Sequence, residues 1–425
     1  MKLVEELKAR GLVEALTDPE IEKALEKPTV VYCGFDPSAK SLQAGNLVSI
    51  MVLRRFQQAG HKVIALVGGA TGLIGDPSGK SAERNMLTLE QVEENKRGIR
   101  DNLSRILDFD GPNAAIMVDN YDWYKSTSAI EFLRDIAINF RVPQMLAKES
   151  VKKRLEASEG ALTFTEFSYQ ILQGNDFLHL YDNYGCTLEV GGADQWGNIT
   201  AGTDLVHRMR GKTAYGLTFP LLLDSSGRKF GKSEGNALFM NGEMTSVFDW
   251  YQYFLRAADA DVIRYLKVFS MKSLDEIAEL EAQMKADPES RIPQKALAEE
   301  LTLLVHGEEG LKKAKDATSA LFGGKAQQGD GSKMDAETIL QVFANVPSAV
   351  ASKGDVVGKA VFAVAASVGM FKSNGEARRM AQQGGLSLND VKVDDKRVFE
   401  ESDIVDGKLA VLRSGKKNHF LLKIQ

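Results

Sequence analysis

A β-branched or aromatic run that ends in a turn and is followed by helical periodicity recurs along this chain. That alternation constrains its fold more than any other feature. Val30–Phe35 reads as a buried strand; Asp36-Pro37 breaks it, and residues 46–59 carry apolar positions at helical spacing. Residues 63–67 form a second such run. A glycine-rich stretch at 68–81 follows, then Thr88-x-x-Gln91, a capping box that opens a long helix. A third strand is expected at 114–118, a helix at 166–184, a short strand at 187–190 and a helix from about Gln195. Strands that alternate with amphipathic helices need crossovers, so the expected class is α/β, a parallel sheet with helices on both faces. Beyond 224–244 the strand signals fade. Residues 245–322 read as helical, 323–350 hold a Gly-, Gln-, Ser- and Lys-rich linker, and 351–425 mix helix signals up to Gln383 with short strands.

Length and charge narrow what such a chain can do. Its 425 residues suffice for about two to four domains. No apolar stretch reaches the roughly 20 residues a membrane helix needs. The first helix mixes charges of both signs with apolar positions, unlike a signal peptide. The two cysteines, Cys33 and Cys186, are far apart and lack metal-type spacing, which fits a reducing cytoplasm. The histidines, His61, His179, His207, His306 and His419, are too scattered for a metal site, so no metal-ligating residues are expected. Net charge is −5 but unevenly placed: residues 355–425 carry 12 Lys and Arg against 9 Asp and Glu, a net +3, leaving −8 on the rest. A basic tail on an acidic body suits contact with a polyanion as well as it suits a solvated basic surface.

Open α/β sheets bind ligands outside the C-terminal ends of their strands, where loops meet helix N-termini. YCGFDP at 32–37 ends the first strand and SLQAGN at 41–46 leads into a helix. Gly45 lets backbone approach a ligand and the helix start favours an anion, although structural turns share this composition. GGATGLIGDPSGK at 68–80 is not a P-loop, because Ile74 stands where that motif needs glycine; G-x-G-x-x-G is also absent. Lys80 and Arg84 could still reach phosphate from a flexible loop, or the segment is a turn. Tyr169, Gln173 and Asp176 fall at i, i+4 and i+7 among Phe167, Ile171, Leu172 and Phe177, which makes either a pocket lining or a solvated stripe. GGADQWG at 191–197 repeats the strand–glycine–helix arrangement. KFGKS at 229–233 sets Lys229 and Lys232 around a glycine, a loop able to close over a triphosphate or simply an exposed basic turn.

Taken in order, YCGFDP, ALVGGATGLIGDPSGK, NYDW, FTEFSYQILQGNDF, GGADQWGNIT, KFGKS and LVHGEEG resemble the class I aminoacyl-tRNA synthetases, specifically the bacterial-type tyrosyl family. The resemblance covers nearly the whole chain. SNGEARR at 373–379, with GKK at 415–417, resembles a small RNA-binding domain also found in a ribosomal small-subunit protein. The resemblance implies a Rossmann-like catalytic domain at 1–223 binding ATP and tyrosine and a KFGKS catalytic loop region at 224–244. A helical anticodon-side domain at 245–322, the linker at 323–350 and an α+β RNA-binding domain at 351–425 would follow. It implies ATP-dependent activation of L-tyrosine to tyrosyl-adenylate, release of pyrophosphate, and transfer to the 3′ end of a tyrosine tRNA, by a cytoplasmic homodimer with no membrane role.

Matching positions then acquire implied roles. Tyr32 and Asp176 meet the tyrosine hydroxyl; Asp76, Tyr169 and Gln173 hold the ammonium, with Gln195 near the carboxylate. Gly34, Asp36, Ser38, Gly45, Gly191, Gly192 and Asp194 fall on ATP, with Asp194 and the two glycines before it at the ribose. Lys80, Arg84, Lys229, Lys232 and Ser233 serve the phosphates. Mg²⁺ would accompany ATP, with no dedicated protein metal site. Arg378, Arg379, Lys416 and Lys417 would contact RNA. A site built to bond a hydroxyl rejects the analogue lacking it, a rule for which tyrosyl-tRNA synthetases are the standard example. One departure stands out: the family's His-Ile-Gly-His is replaced by Gln43-Ala44-Gly45-Asn46, which keeps amide donors but no imidazole. Two other readings stay open. One is a catalytically silent RNA-binding relative, favoured by the missing histidines and opposed by the intact KFGKS and tyrosine pocket. The other is an enzyme for another amino acid such as tryptophan, which the Tyr32/Asp176 pair opposes.

Overall fold

Val30–Phe35 (β2) pairs in parallel with Lys62–Val67 (β3), and this pairing organises the N-terminal sheet. The structure is a computed structural model that describes residues 2–78, 86–156, 162–233, 236–322, 336, 339–340, 343, 346–389, 391–415 and 418–425. Ala15–Leu16 (β1), Ile116–Asp119 (β4), Cys186–Gly192 (β5) and Tyr215–Phe219 (β6) complete a six-stranded sheet of order β1-β6-β5-β2-β3-β4. All neighbours are parallel except β1, which pairs antiparallel with β6. The chain grows outward from β2 through β3 and β4, then returns to β5 on the other side of β2. That reversal leaves a crevice at the C-terminal ends of β2 and β5. The α/β class and parallel sheet are as expected. The third strand begins two residues later than the sequence suggests, and β6 was missed because Tyr215–Phe219 is short and carries a glycine.

Alternation along the strands sorts their side chains. Tyr32, Ile64 and Leu66 pack with Phe177, Leu178, Leu205 and Val206 on one face. The helices Phe164–Tyr184 and Trp196–Arg210 supply that layer. The former begins where Thr163 accepts the N–H of Glu166, and ends at Gly185 in the left-handed conformation (φ 64°). Leu47–Gln58, against the other face, has Leu47, Ile50, Met51, Leu53 and Phe56 fully buried. The expected capping box at Thr88 and Gln91 forms and starts Leu89–Ser104.

Two compact units divide the chain: 1–245 with 253–305, and 246–252 with 306–425. In the first, buried Arg55 and Arg10 tie the helix Asp259–Phe269 to the sheet layer: Arg55 Nη2 donates to the Ser270 carbonyl at 2.5 Å and Arg10 Nη2 to that of Lys272 at 2.7 Å. The helical stretch Ile292–Phe322 breaks at Gly307, whose φ of 71° and ψ of −177° are not helical. Two short strands, Lys232–Ser233 (β7) and Asn236–Ala237 (β8), form a separate hairpin. In the second unit Ser348–Ala351 (β9), Leu386–Leu388 (β10), Val391–Lys392 (β11), Leu409–Ser414 (β12) and Asn418–Ile424 (β13) make a sheet of order β11-β10-β12-β13-β9. Helices Val361–Ser367 and Asn374–Gln382 belong to this α+β unit, whose core includes Val361, Val364, Leu386, Phe399, Leu412 and Leu422.

Candidate active site

Asp176 lies at the base of the crevice. Its carboxylate is 2% exposed and accepts Asn120 Nδ2 and Trp123 Nε1, each at 2.9 Å. Burial, partly offset by these donors, pushes its carboxyl up to about 7. Asn120 also donates to Thr71 Oγ1 at 3.0 Å and accepts the Ala70 N–H at 2.7 Å. Thr71 donates to Asp36 Oδ1 at 2.7 Å, and Asp36 Oδ2 accepts the Tyr169 hydroxyl at 2.7 Å. A single chain of hydrogen bonds therefore joins Tyr169 to Asp176 through three different strand ends. Gly68 is required for it: a Cβ there would lie 2.1 Å from Asp36 Oδ1 and 2.2 Å from Thr71 Oγ1.

Two further groups border this chain. Asp76 accepts the Ser78 N–H at 2.9 Å, Gln195 Nε2 at 2.7 Å and Asn198 Nδ2 at 3.4 Å. Gln173 donates its Nε2 to Glu189 Oε1 at 2.8 Å. Tyr32, 1% exposed with its ring edge-on to Phe177 at 5.2 Å, makes no hydrogen bond through its hydroxyl among the described residues. A fully buried hydroxyl with incomplete hydrogen bonds costs about 1–3 kcal/mol. The Glu189 carboxyl is its neighbour, and a ligand can complete it.

The turn before Leu47–Gln58 and the 229–233 loop meet each other. Ala44–Asn46 forms one 3₁₀ turn, within which Gln43 N–H donates to Asn46 Oδ1 at 3.0 Å. That bond commits the Asn46 oxygen and leaves Nδ2 as the end able to donate outward. Ala44 N–H donates to the Leu238 carbonyl at 2.8 Å, and Leu238 N–H to that of Gly231 at 2.8 Å. Gly231 has φ 79°, and its Cβ position lies 3.1 Å from the Gly45 nitrogen. Phe230 anchors the loop, stacking on Phe269 at 4.9 Å and meeting Tyr265 edge-on at 5.0 Å, while Lys229 is exposed.

The expected residues are thus largely brought together. Asp36, Tyr169 and Asp176 share one hydrogen-bond chain, Asp76 is bonded to Gln195, and Gln173 is bonded to Glu189 beside Tyr32. Gly191 and Gly192 end β5 beside Gln195 and Asp194. Gly34, Ser38 and Gly45 are exposed nearby in the chain, Gly34 within β2 and Ser38 just beyond it. Asp36 is engaged with Tyr169 and Thr71, so residues assigned to nucleotide and amino acid prove directly bonded. Lys232 and Ser233 are described by backbone alone, on β7. Lys80, Arg84, Lys416 and Lys417 lie outside the described residues. Arg378 and Arg379 are exposed on the second unit, Arg378 paired with Asp395 at 3.0 Å. Sequence reasoning missed Thr71, Asn120, Trp123, Glu189 and Asn198 as members. Glu189 was visible as a lone charge inside the apolar run CTLEV.

With this geometry in hand, comparison with known proteins is decisive. Residues 23–323 match the family described as tRNA synthetases class I (W and Y). The chain belongs to that family. Residues 338–422 match the C-terminal domain described as tyrosine--tRNA ligase SYY-like. A tyrosine--tRNA ligase of Protochlamydia amoebophila is 46% identical over 421 residues, covering 98% of each chain. One of Flavobacterium johnsoniae is 46% identical over 428 residues, covering 99% of each. Among solved structures, a C-terminally truncated mitochondrial tyrosyl-tRNA synthetase of Aspergillus nidulans superposes with a TM-score of 0.68 at 30% identity, over 76% of this chain and 94% of that one.

Proposed function

We propose that this chain activates L-tyrosine with ATP, releases pyrophosphate and transfers the amino acid to the 3′ end of a tyrosine tRNA. The observation that carries this reading is the buried Asp176 carboxylate facing the same pocket as the buried Tyr32 hydroxyl, at the switch point of a class I sheet. A phenol O–H completes both groups at once. Phenylalanine adds no partner to either and sets a C–H edge against both polar groups. Asp76, Tyr169 and Gln173 receive the ammonium, and Gln195 lies toward the carboxylate.

The chemical step is attack of the carboxylate on the α-phosphorus, with pyrophosphate leaving. Asn46 Nδ2, Gln43 and the backbone at Gly45 face the developing charge, with Lys229 and Lys232 on the opposing loop. Lys80 and Arg84 are assigned to the same phosphates. Gly34, Ser38, Gly191, Gly192 and Asp194 border the nucleoside. Mg²⁺ enters with ATP as part of the substrate. The functional partition runs 1–223, 224–244, 245–322, 323–350 and 351–425. Pyrophosphate exchange into ATP, tried with tyrosine, tryptophan and phenylalanine in turn, tests the whole reading. Tyrosine alone is expected to support it. Exchange with tryptophan, or none, would establish one of the other two readings.

An apolar hollow of about 660 Å³ includes Ala129, Phe132, Leu133, Phe140, Val142 and Phe164 in its lining; Phe164 is 72% exposed, and Ile130, next in sequence to Ala129, is 70% exposed. Contiguous apolar surface of this kind supports a homodimer interface. Light scattering that returns the mass of one chain would refute it. Arg378 and Arg379, with Lys416 and Lys417, supply phosphate contacts for tRNA. Replacing both arginines with Ala in the full chain is expected to weaken tRNA binding and flatten its salt dependence by about 1–2 units of slope. An unchanged slope would remove them. The buried free cysteines, Cys33 and Cys186, suit the cytoplasm, and no described helix is long and apolar enough to cross a membrane.

A further inference from the structure

Glu189 is the one charged residue in the middle of β5, between Leu188 and Val190, each of the three 1% exposed. A carboxyl is rarely placed in a central parallel strand, since burial without partners costs several kcal/mol. A register shift explains how it reaches the pocket face. Val30 is level with Cys186, but Val31 is level with Leu188, so Thr187 is bulged out of the pairing. Without that extra residue Leu188 would stand beside Tyr32; with it, Glu189 does.

On that face Glu189 Oε1 accepts Gln173 Nε2 at 2.8 Å. Its other oxygen, Oε2, and the hydroxyl of Tyr32 are both buried and make no hydrogen bond among the described residues, though the two groups are close enough to interact. An amide has one donating end and one accepting end. With Nε2 committed to Glu189, Gln173 turns Oε1 the other way, as an ammonium ligand must.

The geometry points to Glu189 as a positioning residue of the amino-acid subsite: its carboxyl fixes which end of Gln173 faces the substrate ammonium and lies beside the Tyr32 hydroxyl that faces the phenol. This rests on the proposed roles of Gln173 and Tyr32. Burial pushes the Glu189 carboxyl up to about 8, which agrees with an oxygen acceptor held neutral near pH 7. Glutamine has the same shape and keeps a carbonyl acceptor for Gln173. Methionine fills the space and offers neither.

Tyrosine affinity of the full chain, measured by equilibrium dialysis, tests this together with 3-(4-hydroxyphenyl)propionate, which lacks the amine. Glu189→Met is expected to bind tyrosine about tenfold more weakly, with the des-amino acid changed less than about twofold, because only the amine reads the Gln173 orientation. Glu189→Gln is expected to restore tyrosine binding to within about threefold of the parent. Glu189→Val, suited to a strand, is read the same way should the methionine variant not fold. Equal weakening of both ligands, or no loss in Glu189→Met while Gln173→Ala is impaired, overturns the positioning role and leaves the pocket assignment standing. Normal tyrosine binding by Gln173→Ala overturns the pocket assignment itself, and the positioning role with it.

Discussion

The amino-acid side and the phosphate side of the crevice are built in opposite ways. On the first, every carboxylate is paired before substrate arrives: Asp176 holds two N–H donors, Asp36 two hydroxyls, Asp76 a backbone N–H and two amides. On the second, the 44–46 turn and the 229–233 loop are joined through Leu238 by backbone bonds, while Lys229 stands exposed and Gly45 open. The first arrangement is rigid and selects a ground-state ligand. The second keeps the Lys229 ammonium in solvent, free to act on a species that exists only during reaction. Substitutions on the two sides should therefore separate into effects on recognition and effects on rate.

The largest expected effect is on rate. Asn46→Ala removes the outward Nδ2 donor and is expected to lower kcat for pyrophosphate exchange by a factor corresponding to about 2–4 kcal/mol, with tyrosine KM nearly constant. Lys229→Ala should act in the same sense and more mildly, since an exposed ammonium is screened. Parallel rises in tyrosine KM would erase the distinction between the two sides. Full activity in both variants would return catalysis to backbone groups.

Recognition comes next in size. Tyr32→Phe removes one buried hydroxyl and is expected to lose about 10–100-fold of the preference for tyrosine over phenylalanine, equivalent to about 1–3 kcal/mol, with kcat for tyrosine little altered. Unchanged discrimination in that variant would take Tyr32 out of the pocket and leave Asp176 as the sole reader.

The amino-acid side should also carry a pH signature that the phosphate side lacks. The Asp176 carboxyl is raised from 3.8 to about 7 and that of Glu189 from 4.5 to about 8, in both cases chiefly by burial. Raised folded values mean the native state binds protons more tightly than the unfolded chain. Their stabilisation is complete below about pH 4 and is lost as pH climbs through about 7 to 8. Asp176→Asn starts less stable, because its NH₂ must face one of two donors, Asn120 Nδ2 or Trp123 Nε1. It is nevertheless expected to lose less stability than the parent between pH 5 and 8, by on the order of 1 kcal/mol in urea unfolding. A parallel decline in both proteins would mean Asp176 is ionised throughout.

The two sides also differed in how far the sequence revealed them. On periodicity alone the i, i+4, i+7 stripe of Tyr169, Gln173 and Asp176 reads slightly better as a solvated face than as a pocket lining, and burial of Tyr169 and Asp176 overturns that preference. Periodicity located the strands because β2 and β3 are buried on both faces and read as continuous apolar runs. What it could not supply was register. The bulge that brings Glu189 beside Tyr32, and the bonds from Thr71 and Asn120 that join Asp36 to Asp176, depend on which strands lie side by side. On the phosphate side, Gln43 and Asn46 were identified by the departure from His-Ile-Gly-His alone. The meeting of their turn with the 229–233 loop, at Gly45 and Gly231, is a contact between segments almost two hundred residues apart, which no local pattern encodes. The same applies to Arg55 and Arg10, whose bonds to the 268–272 carbonyls gather residues 253–305 into the first unit.

The smallest effect is the sharpest test of the phosphate side, because it separates fold from ligand approach at a single atom. Gly45 has ordinary backbone angles, and a Cβ added there would meet only the Phe230 carbonyl oxygen at 3.9 Å, an ordinary contact. Gly45→Ala is therefore expected to fold normally, with thermal stability within about 0.5 kcal/mol of the parent. Gly68→Ala, by contrast, must displace Asp36 or Thr71 to fit its methyl group. If the 3₁₀ turn is where the nucleotide comes closest to the main chain, the same harmless methyl group in Gly45→Ala obstructs it. KM for ATP should then rise about three- to tenfold, roughly 1 kcal/mol, while tyrosine affinity in the absence of ATP stays constant. Unchanged ATP KM in a stably folded Gly45→Ala would move the nucleotide away from this turn. The donor role of Asn46 would then lose its support, whatever the size of its own effect.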